Sequence, residues 1–109
     1  MTEDATIGEL VKLCDASDLA PGEGMTVRAG GRDVAVFNVG GEYFAVDDEC
    51  PHEGGPLGQG MVFDGTVSCP WHFAEFDLAT GESLDDIAPC DVESYRVVVE
   101  GGEVRAELP

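Results

Sequence analysis

The motif Cys50-Pro-His52 is followed, after sixteen intervening residues, by a second motif, Cys69-Pro-Trp-His72. Each motif offers one thiolate and one imidazole, and a proline stiffens the chain directly after each cysteine. These two histidines are the only ones in the sequence, and both fall inside a motif. The pattern predicts two loops that together present two cysteines and two histidines to one metal centre.

This ligand set fits an iron–sulfur cluster in which two histidines replace two cysteines on one of the two irons. A structural zinc site also uses two cysteines and two histidines. A classical zinc finger, however, groups its cysteines in one half and its histidines in the other. Here each half mixes a cysteine with a histidine, which favours the iron–sulfur interpretation over zinc.

From about Leu10 to Glu107 the chain resembles the Rieske domain family, on the strength of these two motifs. The resemblance implies one Rieske-type [2Fe–2S] cluster as the cofactor. Its implied ligands divide between the two irons: Cys50 and Cys69 on the buried iron, His52 and His72 on the outer one. The oxidised cluster would then be neutral, and histidine ligation raises its reduction potential above that of an all-cysteine cluster.

The resemblance also implies an all-β fold, with an antiparallel β-sandwich or barrel as its base. A two-loop cluster-binding subdomain would be inserted in that base at about residues 47–89. A length of 109 residues fits a single domain spanning 1–109. No nucleophile–base pair or phosphate-binding glycine loop is present, so no catalytic residue is expected.

The strand prediction follows short β-runs separated by Gly, Pro and Asp. The predicted strands are Leu10–Cys14, Met25–Ala29, Asp33–Val39, Glu42–Val46, Met61–Phe63, Thr66–Ser68, Glu75–Leu78, Glu82–Leu84, Ser94–Glu100 and Glu103–Glu107. Two-residue hairpin turns are predicted at Gly30-Gly31 and Asp64-Gly65. Alternation predicts that Val34, Val36, Phe44 and Val46 share one buried face.

The charge balance is extreme, with 23 acidic against 5 basic residues and a net charge of −18. Nucleic acid is an unsuitable partner, because phosphate binding needs lysine and arginine. The acidity fits either a docking surface for basic redox partners or a whole-surface adaptation to a salty cytoplasm. No apolar run approaches the length that spans a bilayer, and the acidic N-terminus does not look like a signal peptide. We expect a cytoplasmic monomer with no membrane contact.

Cys14 and Cys90 are the two cysteines outside the motifs. We expect both to be small buried hydrophobic side chains, with a disulfide between them as the lesser alternative.

Other residues of the two loops also suggest roles. Four glycines (Gly54, Gly55, Gly58 and Gly60) predict tight or left-handed backbone, with amide groups directed at the cluster sulfides. Trp71, Phe73 and Leu57 are candidates for an apolar rim around the cluster, with a place in the hydrophobic core as the alternative for Trp71 and Phe73. Pro89 resembles the family's proline loop beside the cluster.

The chain departs from the high-potential respiratory branch of the family. That branch has an extra cysteine in each loop, where this chain has Gly55 and Trp71. It also has a serine and a tyrosine that donate hydrogen bonds to sulfur, where this chain has Ala74 and Phe76. Fewer donors to sulfur lower the potential, which predicts the low end of the Rieske range, roughly −150 mV.

The implied function is that of a soluble ferredoxin that is not itself an enzyme. It would take single electrons from an NAD(P)H-dependent flavin reductase and pass them to a terminal Rieske non-haem iron oxygenase. Two alternatives remain. One is a small Rieske-type subunit of a larger reductase such as assimilatory nitrite reductase, and the other is an interaction module that a cluster or zinc stabilises without redox work.

Overall fold

The computed structural model describes residues 9–50, 55–71, 73–84 and 91–108. Within these ranges there is no helix long and apolar enough to cross a membrane, and the two helical turns, Ala16–Asp18 and Leu57–Gln59, are short 3-10 turns. The rest of the regular structure is β-strand. The strands are β1 (Glu9–Asp15), β2 (Gly24–Ala29), β3 (Arg32–Val39), β4 (Glu42–Asp47), β5 (Met61–Phe63), β6 (Thr66–Ser68), β7 (Glu75–Asp77), β8 (Ser94–Tyr95), β9 (Val97–Glu100) and β10 (Glu103–Leu108).

The strands form three antiparallel sheets, so the predicted all-β fold is confirmed. The outer sheet has the order β1-β10-β9, and the central sheet has the order β2-β3-β4-β8. A small third sheet has the order β5-β6-β7. The first and last strands of the described chain are therefore neighbours in the outer sheet, which ties the two ends together.

The small sheet belongs to an excursion from the central sheet. The chain leaves that sheet after Asp47 and returns to pair beside β4 at Ser94. The Asp47 N–H donates to the Glu93 carbonyl at 2.9 Å, which fastens the exit point to the return point. Both sequence motifs and β5–β7 lie in this excursion, and it contains most of the segment predicted as the cluster-binding subdomain, about residues 47–89.

Strand β3 of the central sheet is buried on both faces, and its side chains alternate between two cores. The base core lies between the central and outer sheets, and Val34 and Val36 point into it. The ligand-side core lies between the central sheet and the excursion, and Ala35 and Phe37 point into it. The base core comprises Leu13, Cys14, Leu19, Ala29, Val34, Val36, Ala45, Val104, Ala106 and Leu108. The ligand-side core comprises Ala35, Phe37, Val46, Cys50, Leu57, Val67, Cys69, Ala74, Phe76, Leu78 and Val92.

One prediction about these faces is wrong. Val46 pairs with Ala35 and Phe44 pairs with Phe37, and directly paired residues share a face of the sheet. Phe44 and Val46 therefore belong to the ligand-side core, opposite to Val34 and Val36. Because β3 is apolar on both faces, its alternation alone could not identify which residues face together.

The hairpin turns form where the sequence predicts them. Gly30 and Gly31 have φ of 59° and 80°, and Asp64 and Gly65 have φ of 51° and 75°. Positive φ at both central residues matches the twist of the flanking strands, which explains the Gly-Gly and Asp-Gly pairs.

Two predicted strands differ from the structure. The run Ser94–Glu100 breaks at Arg96, because Ser94 and Tyr95 pair with the central sheet whereas Val97–Glu100 pairs with the outer sheet. A single strand changes partner sheet there, and local sequence periodicity does not record such a change. The run Glu82–Leu84 is reduced to one bridge, from Ser83 to Phe76, in place of a strand.

Candidate metal centre

The first candidate loop begins directly after β4 and carries Cys50. The Cys50 N–H donates to the Gly55 carbonyl at 2.9 Å, and the Leu57 N–H donates to the Asp48 carbonyl at 2.7 Å. These two hydrogen bonds close the base of the loop, and the residues they join, Asp48, Cys50, Gly55 and Leu57, are called the neck of the first loop. The Cys50 side chain is buried in the ligand-side core, with 1% of its surface exposed.

The second candidate loop follows β6 and carries Cys69. The Cys69 N–H donates to the Ala74 carbonyl at 2.8 Å, and the Phe73 N–H donates back to the Cys69 carbonyl at 2.9 Å. This tight reversal requires a positive φ of 63° at Phe73, an uncommon conformation for a bulky residue. Cys69 is also buried in the ligand-side core, with 2% of its surface exposed.

The two loops meet at Gly55. A Cβ added there would lie 2.7 Å from the Cys69 Sγ and 3.0 Å from Cγ of the Trp71 ring. Only glycine lets the first loop approach the sulfur of the second this closely. Gly55 and Trp71 are also the positions where the respiratory branch has its extra cysteines, so the structure brings those two positions together.

The chemistry of this donor set fits a cluster with cysteine ligands. Two thiols from separate loops enter one apolar core, where metal coordination would compensate for the burial of thiolate charge. The two histidines of the motifs, His52 and His72, lie outside the described residues. In the sequence each falls between the described ends of its loop, Cys50 and Gly55 for the first and Trp71 and Phe73 for the second.

The role predicted for the loop glycines needs correction. Gly58 and Gly60 donate their N–H groups to Asp48 Oδ1 and the Leu57 carbonyl, not to a sulfide. Neither has a positive φ. Both are instead required for close packing, because a Cβ would lie 2.4 Å from Thr26 Oγ1 at Gly58 and 2.2 Å from the Ser68 carbonyl at Gly60. Gly54 lies outside the described residues.

The predicted apolar rim divides into buried and exposed members. Leu57 is fully buried and belongs to the ligand-side core. Trp71 and Phe73 are 53% and 69% exposed, and they stand on either side of position 72. Pro89, the candidate for the proline loop, lies outside the described residues. The exposed aromatic pair therefore leaves an apolar surface next to the second motif.

Ala74 and Phe76 occupy the ligand-side core with Cys50 and Cys69, and neither has any exposed surface. Neither side chain carries a hydrogen-bond donor. The positions that supply hydroxyl donors in the respiratory branch therefore add only apolar atoms to the surroundings of these thiols.

Cys14 lies in the other core, far along the chain from both motifs. It is buried and carries a free thiol, in agreement with its predicted role as a small hydrophobic residue. Burial raises the pKa of this thiol, with a further contribution from Asp18 and Asp15. Cys90 lies outside the described residues.

Sequence reasoning missed Asp48 and Thr26. The Thr26 hydroxyl donates to Asp48 Oδ1 at 2.7 Å, so a residue on β2 contacts the neck of the first loop. No local pattern separates this aspartate from the other acidic residues of so acidic a chain. Its signal, visible only in retrospect, is its position two residues before the first motif.

An antiparallel fold with two loops that each bury one cysteine thiol in the same core is consistent with an iron–sulfur protein. A family model described as the Rieske [2Fe-2S] domain matches residues 9–96, and the chain belongs to this family. Family membership assigns one Rieske-type [2Fe–2S] cluster to the chain.

Curated relatives are similar over nearly the whole chain. The ferredoxin component of biphenyl 2,3-dioxygenase from Rhodococcus jostii is 37% identical, over 91% of this chain and 92% of the relative. The ferredoxin component of the p-cumate 2,3-dioxygenase system from Pseudomonas putida is 39% identical, over 97% of this chain and 92% of the relative. These relatives are the ferredoxin components of their systems, and this chain is likewise an electron carrier.

Solved structures agree with this assignment. A ferredoxin from Sphingomonas yanoikuyae superposes with a TM-score of 0.85 at 30% identity, covering 93% of this chain and all of that one. A chain in the complex of oxygenase and ferredoxin of carbazole 1,9a-dioxygenase gives 0.83 at 31% identity, covering 90% and 92%. A protein described as an NADH-dependent nitrite reductase small subunit from Mycobacterium tuberculosis gives 0.85 at 27% identity, covering 94% and 96%.

Proposed function

We propose that this protein carries single electrons from an NAD(P)H-dependent flavin reductase to a terminal Rieske non-haem iron oxygenase. The observation that carries the proposal is the meeting of two closed loops at Gly55, with Cys50 and Cys69 buried in one core. Relatives named as ferredoxin components of dioxygenase systems support an oxygenase as the partner. A bound [2Fe–2S] cluster supplies the chemistry, the reversible gain of one electron.

In this proposal Cys50 and Cys69 hold the cluster from inside the core, and His52 and His72 hold it from the outer side. The support for the cysteines is their burial and their position at the necks of the two loops. The support for the histidines is their place in the motifs, between residues whose backbones close each loop. Burial of the thiols excludes water from their side of the site.

We assign the contact with protein partners to the exposed apolar surface beside position 72. Trp71 and Phe73 are mostly exposed to solvent there. Exposed aromatic side chains stand out in a chain that is otherwise rich in charged residues. An exposed apolar patch with a charged surround is typical of a protein–protein contact. A partner seated on it would lie close to the outer ligands, which shortens the path of the electron.

A low reduction potential is part of the proposal. Ala74 and Phe76 line the same core as the two thiols without offering a hydroxyl donor to sulfur. Reduction adds negative charge, which such donors would stabilise. Their absence at these two positions supports a midpoint at the low end of the Rieske range, roughly −150 mV. We further propose that the protein acts as a cytoplasmic monomer.

The second candidate function is that of a nitrite reductase small subunit, favoured by the structural similarity to the Mycobacterium tuberculosis protein. The two functions differ in how long the protein stays bound to its partner. A ferredoxin must dissociate and shuttle between partners, whereas a subunit remains in one complex. A purified chain that is monomeric, stable and reversibly reducible supports the carrier; one that is stable only in a permanent complex supports the subunit.

The ligand assignment is tested by removing thiols one at a time. Cys50→Ser and Cys69→Ser should each abolish the visible absorption of the cluster and most of the bound iron and acid-labile sulfide. Cys14→Ser is the matched control, because this thiol is also buried but lies in the base core. Retention of a full cluster in Cys50→Ser or Cys69→Ser, or its loss in Cys14→Ser, would contradict the assignment.

A further inference from the structure

Asp48 is the one carboxylate that is buried among the residues that the structure describes, with 7% of its surface exposed. Burying a carboxyl group is unfavourable unless hydrogen bonds replace those to water. The chain carries 23 acidic residues, and the other acidic side chains described are at least partly exposed. A single buried exception therefore indicates a specific structural use.

The contacts of Asp48 join three parts of the fold. Its Oδ1 accepts a hydrogen bond from the Thr26 hydroxyl at 2.7 Å and another from the Gly58 N–H at 2.8 Å. Its backbone carbonyl accepts from the Leu57 N–H at 2.7 Å, and its own N–H donates to the Asp33 carbonyl at 3.2 Å. One residue thus connects β2, β3 and the turn at Leu57–Gln59.

The packing around these hydrogen bonds is close. A Cβ added to Gly58 would lie 2.4 Å from Thr26 Oγ1 and 2.8 Å from the Thr26 nitrogen. The turn therefore lies directly on the backbone of β2. Thr26, Asp48 and Gly58 together form a clamp between the central sheet and the neck of the first loop.

We propose that Asp48 is a positioning residue for the first ligand loop. Its side chain fixes both ends of the loop, at Asp48 itself and at Gly58, against the rigid strand β2. This inference rests on the proposed role of Cys50 and His52, which lie between those two ends. A loop held at both ends presents its ligands with less conformational freedom to lose, so the cluster is retained longer.

Thr26→Val is the variant that tests the proposal. Valine keeps the shape of threonine and its preference for β-structure but removes the hydroxyl donor to Asp48. Thr26→Ser retains the hydroxyl and serves as the matched control. Asp48→Ala would deprive two donors of their acceptor at once, so the milder change at Thr26 is preferable.

The measurement is the rate at which the cluster is lost to an iron chelator, followed by visible absorbance, together with the g values and linewidths of the reduced cluster. Thr26→Val should lose the cluster about fivefold to tenfold faster and broaden the signal, as expected for one lost hydrogen bond. Thr26→Ser should keep the rate of cluster loss within about twofold of the wild-type rate and should keep the wild-type signal. Val104→Ala creates a cavity in the base core and serves as the control for a general loss of stability.

If Thr26→Val and the wild type lost the cluster at equal rates, the positioning role alone would be overturned. The same would follow if Val104→Ala accelerated cluster loss as much as Thr26→Val and broadened the signal of the reduced cluster equally. A wild-type protein that assembles no cluster would instead overturn the ligand assignment on which the inference rests.

Discussion

The Sγ of Cys69 lies against the backbone of Gly55, so closely that a Cβ at position 55 would come within 2.7 Å of it. The Cys69 sulfur of the second loop therefore limits which residue the first loop can have at position 55, although fourteen positions separate Gly55 and Cys69 in the sequence. This contact makes the two thiol-bearing loops a single structural unit. A change in either loop is therefore expected to affect the cysteine of the other.

The Gly55 contact predicts that Gly55→Ala displaces the Cys69 sulfur and weakens cluster binding. We expect iron content and cluster lifetime to fall severalfold, because the buried Cys69 side chain cannot move without disturbing the ligand-side core. Gly102→Ala is a useful control: position 102 has a positive φ but open space around it. It should lower stability by about 1 kcal/mol without loss of iron. Normal cluster retention in Gly55→Ala would contradict this account.

Ala74→Ser should raise the reduction potential. A serine hydroxyl at this fully buried position beside the two thiols would supply a donor that the wild type lacks. If it favours the reduced state by about 1 kcal/mol, the potential rises by roughly 40 mV. A redox titration followed by circular dichroism or absorbance measures this shift. Ala106→Ser inserts the same hydroxyl into the base core, and an equal shift there would exclude a direct effect on sulfur.

The left-handed backbone at Phe73 predicts a difference between two substitutions that both remove the aromatic ring. Phe73→Gly should be more stable than Phe73→Ala by about 1 kcal/mol, because glycine adopts a φ of 63° without steric cost. Urea unfolding of the two variants measures the difference directly. Equal stabilities would mean that position 73 is not held in this conformation in solution.

Tyr95 predicts a loss of stability at high pH. Its hydroxyl accepts a hydrogen bond from Arg32 at 2.8 Å and donates one to Asp47 at 2.5 Å, at the end of the strand that leads into the first loop. Burial, and then the hydrogen bond to Asp47, raise the pKa of Tyr95 from 10.0 to about 12. Between these values the folded state holds a proton that the unfolded state has released. The stabilising contribution is therefore complete below pH 10.0 and is lost as the pH rises toward about 12.

Urea unfolding across this range should show that decline in the wild type and a smaller one in Tyr95→Phe. Tyr43→Phe, which removes another partly buried tyrosine hydroxyl, is the control and should leave the decline in place. An identical pH profile in wild type and Tyr95→Phe would contradict the assignment to Tyr95.

The acidic surface predicts that stability increases with salt. Few basic side chains offset the negative charge. The Lys12 Nζ lies 3.0 Å from Asp15 Oδ1 and 3.6 Å from Glu103 Oε2, and exposed ion pairs of this kind contribute little to stability. Raising KCl from about 0.1 M to about 2 M shortens the screening length and reduces repulsion between carboxylates. We expect the unfolding midpoint to rise. If stability is instead unchanged while reduction by the partner slows with salt, the acidity serves docking rather than adaptation to a salty cytoplasm.

The sequence predicts much of this fold because its turns are explicit. Gly-Gly and Asp-Gly pairs locate the hairpins, and most strands begin and end within a residue or two of the predicted positions. It fails where a residue's role depends on a distant neighbour. The break at Arg96 arises because one run pairs with two sheets, and the face of Phe44 is set by its pairing with Phe37.

The same distinction holds at the site. The two motifs identify candidate ligands because cysteine and histidine are rare and their spacing is specific. They do not reveal Asp48, since an aspartate in a chain with 23 acidic residues carries no local signal of burial. Nor do they show that Gly58 and Gly60 serve close packing, because that requirement comes from Thr26 and Ser68 on other strands.

Electron paramagnetic resonance of the dithionite-reduced protein during a potential titration tests most directly whether these loops hold a low-potential Rieske cluster. We predict a rhombic signal with an average g value below that of the free electron, and a midpoint of roughly −150 mV. A midpoint well above zero would contradict the argument from Ala74 and Phe76. The absence of any such signal, with zinc or no metal bound, would contradict the cluster itself.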